Sequence, residues 1–343
     1  MKFPNPLQPG DLIAITAPSS GVPAALHKRL DLVINHLKVQ GFRIIEGNCL
    51  RHEFKNASAS AEERAHELNQ FLRDPNIRAI FPPWGGELAS ELLDLIDFEA
   101  LRSVEPKWLL GFSDLSTIQV PLTLISGWAT AHGTNLMDRS PKQTDPLTRS
   151  VHAILAADFL TPVTQVSSAL YREKPGDWAQ AFDEPFNLTA PTRWKRLDQQ
   201  DGPVTMSGCL IGGCIDTIAW LAGSRYADVP KFVQDSGRRG VILYLENCEL
   251  APPALVRALL AMRRARWFDH LSGLLIGRSS AHQPTDANAL LYVEALARCL
   301  HGARFPVLYD VDIGHQPPQL TLINGAFAQV QFSEGKGSIS QVQ

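Results

Sequence analysis

The chain has 343 residues, 45% hydrophobic and 20% charged, with a formal net charge of -3. That is the make-up of a soluble globular protein, too long for one ordinary core and so expected to form two domains. The charge, with no basic stripe or patch, excludes nucleic acid as an evident partner, and no run of about eighteen apolar residues is available to span a membrane.

The opening stretch, Met1 to Gly10, lacks the apolar core of a signal peptide. Five scattered cysteines (Cys49, Cys209, Cys214, Cys248, Cys299) lack the paired spacing of a zinc site and read as reduced thiols in a cytoplasm. Asp11 to Ala17 is an apolar strand, followed by a helix from about Pro23 to Val39 that Gly41 ends, and Phe42 to Glu46 is a second strand. Ser60 and Glu63 have the spacing of a capping box for a helix to about Leu72, and Asp74-Pro75-Asn76 breaks it before a third strand, Ile77 to Phe81. Pro82-Pro83-Trp84-Gly85-Gly86 then leads into apolar periodicity that predicts a helix from Glu87 to Ile96.

The next strand, Trp108 to Leu110, runs into the turn Gly111-Phe112-Ser113-Asp114 and a helix over Ser116 to Ile125. A strand near Trp128 to His132 and a helix from about Pro146 to Ala157 complete a first unit, residues 1–160. Strands alternating with helices predict a doubly wound, mostly parallel α/β sheet with ligands at the strands' carboxyl ends. Gly85, Gly86 and Ser113 all fall at such ends.

From 161 to 203 the pattern dissolves into Pro, Gly, Asp and Lys with isolated aromatics, among them Trp178 and Trp194. A connection of that length inside a compact protein is usually functional or disordered, and the aromatics argue against disorder. A second α/β unit, 204–343, contains Ile211-Gly212-Gly213-Cys214, a strand from Gly240 to Leu245 ending in Glu246, and a helix from about Pro252 to Phe268. A strand Gly273 to Ile276, a helix Ala287 to Cys299 and a strand Pro306 to Val311 follow. Then come the polar loop Asp312 to Pro317 and an expected hairpin of Leu320 to Ile323 with Phe327 to Phe332 about Asn324-Gly325.

A serine at a sharp strand-to-helix turn has its hydroxyl exposed beside a helix N-terminus, as a nucleophile with half an oxyanion hole requires. On these residues alone the simpler reading is that Ser113 caps the helix, with Asp114 in its electropositive first turn. The Gly85-Gly86 pair lets backbone N–H groups approach a ligand, or simply permits a tight turn. Ser113, Glu246 and His315 each sit at a strand end and supply, in that chain order, a nucleophile, an orienting carboxylate and a general base. Spacing alone does not choose His315 from the ten histidines.

Five segments taken together are more informative than any one of them. Pro83 to Phe98, Leu110 to Thr117 with its Gly-Phe-Ser-Asp, Ile211 to Thr217, Leu243 to Glu246 and Asp310 to Pro318 resemble, in order, the LD-carboxypeptidases and microcin-immunity serine peptidases. The opening Ile13 to Ser19 does so too. The resemblance implies a triad of Ser113, Glu246 and His315 in a cleft between the two domains. It also implies an oxyanion hole from the Asp114 N–H and the Gly85-Gly86 loop, no metal or cofactor, and a homodimer. The substrate would be a small peptide or peptidyl-nucleotide cut at a C-terminal amide. Cys214 and Asn247 depart from the residues common in relatives, which puts local geometry in question but no triad member. The Asp177-Trp178 stretch resembles the microcin-immunity branch, where Trp178 would contact substrate or hold the loop, whereas Trp194 is expected to anchor it. The rival class is a non-catalytic small-ligand-binding α/β protein, which would be free to lose one of the three residues.

Overall fold

The computed structural model describes residues 1–158, 160–174 and 176–342. Its first half comprises β1 (Leu12–Ile15), α1 (His27–Val39), β2 (Arg43–Glu46), α2 (Ala61–Arg73), β3 (Ile77–Ile80), β4 (Trp108–Gly111), α3 (Ser116–Leu124), β5 (Thr130–His132) and α4 (Pro146–Leu155). Four short strands follow: β6 (Val163–Val166), β7 (Leu170–Tyr171), β8 (Ala190–Pro191) and β9 (Lys195–Arg196). The remainder comprises β10 (Val204–Cys214), α5 (Ile215–Ile218), α6 (Val229–Ser236), β11 (Val241–Glu246), α7 (Pro252–Arg264), β12 (Gly273–Gly277), α8 (Tyr292–Leu300), β13 (Val307–Val311), β14 (Leu322–Asn324), β15 (Phe327–Ser333) and β16 (Lys336–Val342).

Two main sheets result, ordered β14-β5-β4-β3-β1-β2 and β6-β16-β15-β10-β11-β12-β13-β9. The strands β2, β1, β3, β4 and β5 are parallel, as are β10 to β13, while antiparallel strands finish the edges. Alternation along each strand feeds two cores. Ile13 and Ile15 of β1 pack with α1 and α4, whereas Ala14 joins a larger core shared with α2, α3, α7 and α8. That larger core runs without a break from the first sheet to the second, through Leu109, Ile118, Ile211 and Leu243. Local signals hold where the chemistry is local: the Ser60 hydroxyl accepts from the Glu63 N–H, and Glu63 reaches back to the Ser60 N–H. Among the described residues, no helix is long and apolar enough to cross a membrane.

Three expectations need correction. The periodic run Glu87 to Ile96 forms only a 3-10 turn, Ala89–Leu92, because the Ala89 N–H and the Ser19 hydroxyl both bond the Asp114 carboxylate and fix the segment against the neighbouring loop. The connection 161–203 is not free of pairing: β6 and β9 close opposite edges of the second sheet, and β7 pairs β8. The hairpin about Asn324-Gly325 does not form. The turn exists, with Gly325 at φ +90, but β14 pairs antiparallel with β5 of the first sheet while β15 pairs β10 of the second. The open edge of β5 competes successfully for a strand that local turn chemistry would have given to β15.

That divergence joins the sheets. Asn324, fully buried, accepts from the Gly212 N–H at 3.1 Å and the Tyr244 hydroxyl at 2.8 Å, and donates to Thr130 Oγ1 at 3.1 Å. Asn324→Ala leaves those groups buried without partners, so a loss of about 2–4 kcal/mol in chemical denaturation is expected; a loss under about 0.5 kcal/mol would show that water replaces the side chain.

Candidate active site

β4 ends at Gly111, and residues 112–115 reverse the chain into α3. Ser113 adopts φ +66, the left-handed region that a serine seldom occupies and that costs of order 1–3 kcal/mol unless the surroundings enforce it. They do so from both sides. The Phe112 N–H donates to Asn135 Oδ1 at 3.1 Å. The Asp114 carboxylate accepts from Ser19 Oγ at 2.6 Å, the Ala89 N–H at 2.8 Å and Thr117 Oγ1 at 3.1 Å. Burial raises the Asp114 carboxyl above its ordinary range, and those hydrogen bonds oppose the rise.

The Gly85-Gly86 loop lies directly against this turn. A Cβ on Gly85 would stand 2.8 Å from the Asp114 nitrogen and 3.0 Å from Ser113 Oγ. On Gly86, at φ +141, it would stand 2.4 Å from Ser20 Oγ and 2.5 Å from Ser19 Oγ. Only glycines allow the backbone this close to the serine.

The second sheet supplies the other two groups. Glu246, the last residue of β11, is fully buried, and its Oε2 lies 2.8 Å from His315 Nδ1. His315 Nε2 lies 3.0 Å from Ser113 Oγ. Gly314 makes the approach possible, since a Cβ there would meet Glu246 Oε2 at 2.4 Å. The Phe112 ring packs edge-on against the imidazole at 4.8 Å. Burial disfavours the His315 imidazolium, but the Glu246 carboxylate outweighs it, with Cys248 acting in the same direction, and holds the histidine well above 6.5. Burial likewise pushes Glu246 up, and the His315 charge and hydrogen bond more than reverse this and hold it low.

His132, the other histidine near this turn, is different. It is fully buried between Phe112 and Tyr244, neither ring nitrogen has a hydrogen-bond partner among the described residues, and burial lowers it to about 4. Trp178 is half-buried and lines a cavity together with Ser113 and His315, and the Arg29 guanidinium lies 3.9 Å from its ring centroid. Trp194 is buried, with its Nε1–H bonded to Asp312 at 2.7 Å, and anchors the connection. Of the departures, the Cys214 thiol sits 3.4 Å from Asp216, and Asn247 bonds the Leu250 carbonyl and Ser279.

Several supporting residues were invisible in the sequence pattern. Arg278, just past β12, forms a buried ion pair with Asp312 at 2.8 Å and donates to the carbonyls of Gln316 and Pro318, so it fixes the loop that carries His315. Its position at a parallel strand's carboxyl end was the available signal. Asn135, which braces the serine turn, lay in a loop with no distinguishing spacing, and Ser19, which braces it too, ended the opening segment of the resemblance without a role of its own. Chemically, a serine hydroxyl, an imidazole and a buried carboxylate in this chain of contacts suit nucleophilic attack on a carbonyl.

Comparisons with known proteins match most of the chain. The family model of the LD-carboxypeptidase N-terminal domain matches residues 13–133, and that of the LD-carboxypeptidase C-terminal domain matches 207–330. The chain is 28% identical to a putative carboxypeptidase of Vibrio cholerae, over 97% of this chain and 96% of that one. It is 25% identical to the microcin C7 self-immunity protein MccF of Escherichia coli, over 98% and 95%. It is 22% identical to a probable murein peptide carboxypeptidase of Bacillus subtilis, over 96% and 92%. A solved structure of MccF in complex with glutamyl sulfamoyl guanosine has the same fold, with a TM-score of 0.81 at 23% identity over 99% of this chain and 98% of that one.

The buried carboxylate sets a measurable property of the imidazole. An NMR titration of His315 is expected to give a midpoint above 6.5, and Glu246→Gln should move it downward because the stabilising negative charge is gone. A midpoint at or below 6.5 in both proteins would contradict the coupling.

Proposed function

The chain belongs to the LD-carboxypeptidase family of serine peptidases, and from that premise we propose that Ser113, His315 and Glu246 are its catalytic triad. The observation that carries this reading is the pair of contacts Ser113 Oγ to His315 Nε2, 3.0 Å, and His315 Nδ1 to Glu246 Oε2, 2.8 Å. The reaction is hydrolysis of an amide bond in a small peptide. Ser113 Oγ attacks the carbonyl carbon while His315 Nε2 takes its proton, and Glu246 fixes the tautomer and balances the imidazolium. The Asp114 N–H and the Gly85-Gly86 loop hold the oxyanion, a role supported by the absence of room for even a Cβ at Gly85. His315 then gives its proton to the leaving amine, and water activated by the same imidazole releases the acyl group from Ser113.

Because only the neutral imidazole can accept the hydroxyl proton, kcat/KM should rise with pH through the His315 midpoint, placing the acid limb above 6.5. We read 1–160 and 204–343 as the two working units and 161–203 as the connection facing the substrate, since Arg172 and Trp178 line the cavity at Ser113. The homodimer implied by family resemblance belongs to the same reading. So does a cytoplasmic location, for which five free thiols are the support.

Both a murein peptide and a peptidyl-nucleotide suit this chemistry, and Trp178 favours the second. Its ring lines the cavity and is backed by Arg29, the arrangement of a stacking platform worth roughly 1–3 kcal/mol per base.

Two measurements test these assignments. Ser113→Ala should stay folded and lose of the order of 10³-fold or more in kcat; a folded variant with most of its turnover would remove the serine from the mechanism. Trp178→Ala should weaken hydrolysis of a peptidyl-nucleotide selectively, and an equal loss on an L,D-tetrapeptide would reduce Trp178 to a loop anchor.

A further inference from the structure

Two cavities open from Ser113 and His315, and they differ in charge. One is bordered by Glu87, Asp216 and Glu249. The other is bordered by Asp138, Arg172 and Trp178, with Pro317 of the histidine loop.

Arg172 is the unusual member of the second set. Its backbone N–H donates to the Pro317 carbonyl at 2.7 Å, which ties it to the loop carrying His315. Its guanidinium lies 4.9 Å from the Phe186 ring centroid. Among the described residues that guanidinium has no hydrogen bond and no ion pair, although the side chain is half-buried. Behind it stands Arg29, fully buried, with Nε on the Met137 carbonyl at 2.7 Å and Nη1 on the Phe182 and Glu184 carbonyls. Among the described residues Arg29 Nη2 has no hydrogen-bond partner. Asp138 is the acid whose charge both arginines feel; Asp183 acts on Arg29 as well, which leaves Asp138 as the one carboxylate set against Arg172. Burial lowers both guanidinium groups, as it must for cations that lack full compensation. A partly desolvated arginine with a free planar fork of donors matches a carboxylate or phosphate.

We propose that Arg172 binds an anionic group on the substrate's leaving portion, with Arg29 reinforcing the positive field behind it. The inference rests on the hydrolase reading and assigns the two cavities. Cleavage at a C-terminal amide puts the substrate's free carboxylate on the leaving group, so the cavity bordered by the unpaired Arg172 guanidinium is the leaving-group side. The cavity with Glu87 and Glu249 would repel that anion and receives the acyl side. A peptide carboxylate and a nucleotide phosphate share the required chemistry, and both would lie beyond Ser113 toward Trp178.

The test is steady-state kinetics of the full chain on three substrates: an L,D-tetrapeptide with a free carboxylate, the same peptide as its C-terminal amide, and a peptidyl phosphoramidate nucleotide. In Arg172→Gln, KM for the anionic substrate is expected to rise about 10- to 100-fold, the size of a lost charge-assisted hydrogen bond, with kcat within a few fold. The amide should be nearly unaffected, and Arg172→Lys should recover part of the loss. Selective loss on the peptide carboxylate identifies that source of the anion, and selective loss on the nucleotide identifies the phosphate. Retention of the wild-type preference for anionic leaving groups, or an equal loss on the amide, overturns the proposal. A second measurement needs no variant: D-alanine should inhibit the wild-type enzyme competitively and D-alaninamide much less, and equal inhibition by both counts against the site. Failure of the triad reading would appear separately, as turnover surviving Ser113→Ala.

Discussion

The 3.0 Å contact between Ser113 Oγ and His315 Nε2 spans 202 positions of sequence and two different sheets, and the rest of the structure is organised to hold it. Ser113 follows a strand of the first sheet, whereas Glu246 ends one strand of the second and His315 follows another. A shift of one sheet by a single ångström would break that contact, so the joint between sheets matters as much as either sheet. The joint is polar as well as apolar. Asn324 ties β14 to Gly212 and Tyr244, the Cys214 N–H donates to Ser116 Oγ at 3.0 Å, and a continuous hydrophobic core underlies both. A polar joint has one geometry that satisfies its groups, which an apolar joint of the same area does not.

Close approach is the second constraint, and glycine meets it. Gly85 lies against Ser113 and Asp114, Gly314 against Glu246, and Gly213 against Ser116, where a Cβ would stand 2.5 Å from the hydroxyl. At each, the missing side chain leaves room for a functional group from another segment. The buried Glu246 carboxylate is tolerated because its charge is matched by His315. His132, a few ångströms away, has no such partner and burial keeps it neutral in the working range. Two histidines near one carboxylate thus differ in character because Glu246 hydrogen-bonds His315 and acts on His132 only through its charge.

The connection between the sheets has a double role. Its ends complete the second sheet through β6 and β9, while its middle is pinned to α1 by one buried arginine, Arg29, through the carbonyls of Phe182 and Glu184 and the ring of Trp178. That pinning places Trp178 on the wall of the cavity at Ser113, and the Arg172 N–H on the Pro317 carbonyl places Arg172 there. A segment without regular periodicity can therefore be ordered by a few long-range contacts to a rigid scaffold.

What the sequence determined by itself was local. Apolar periodicity located the central strands and most helices, the Ser60 and Glu63 spacing located a helix start, and the turn chemistry of Gly-Phe-Ser-Asp put Ser113 at a strand end. The choice of His315 from ten histidines came from the resemblance of ordered segments, because no spacing rule links residues so far apart. Tertiary structure alone decided the rest. It sent β14 to β5 rather than into a hairpin, shortened the expected helix at Glu87 to one 3-10 turn, and brought Arg278, Asn135 and Arg172 to the site. The reason is physical: periodicity and caps act within a few residues, where each bond closes a short loop. Pairing across a sheet edge, a buried ion pair and an unmatched guanidinium depend on which distant segments the fold brings within bonding distance.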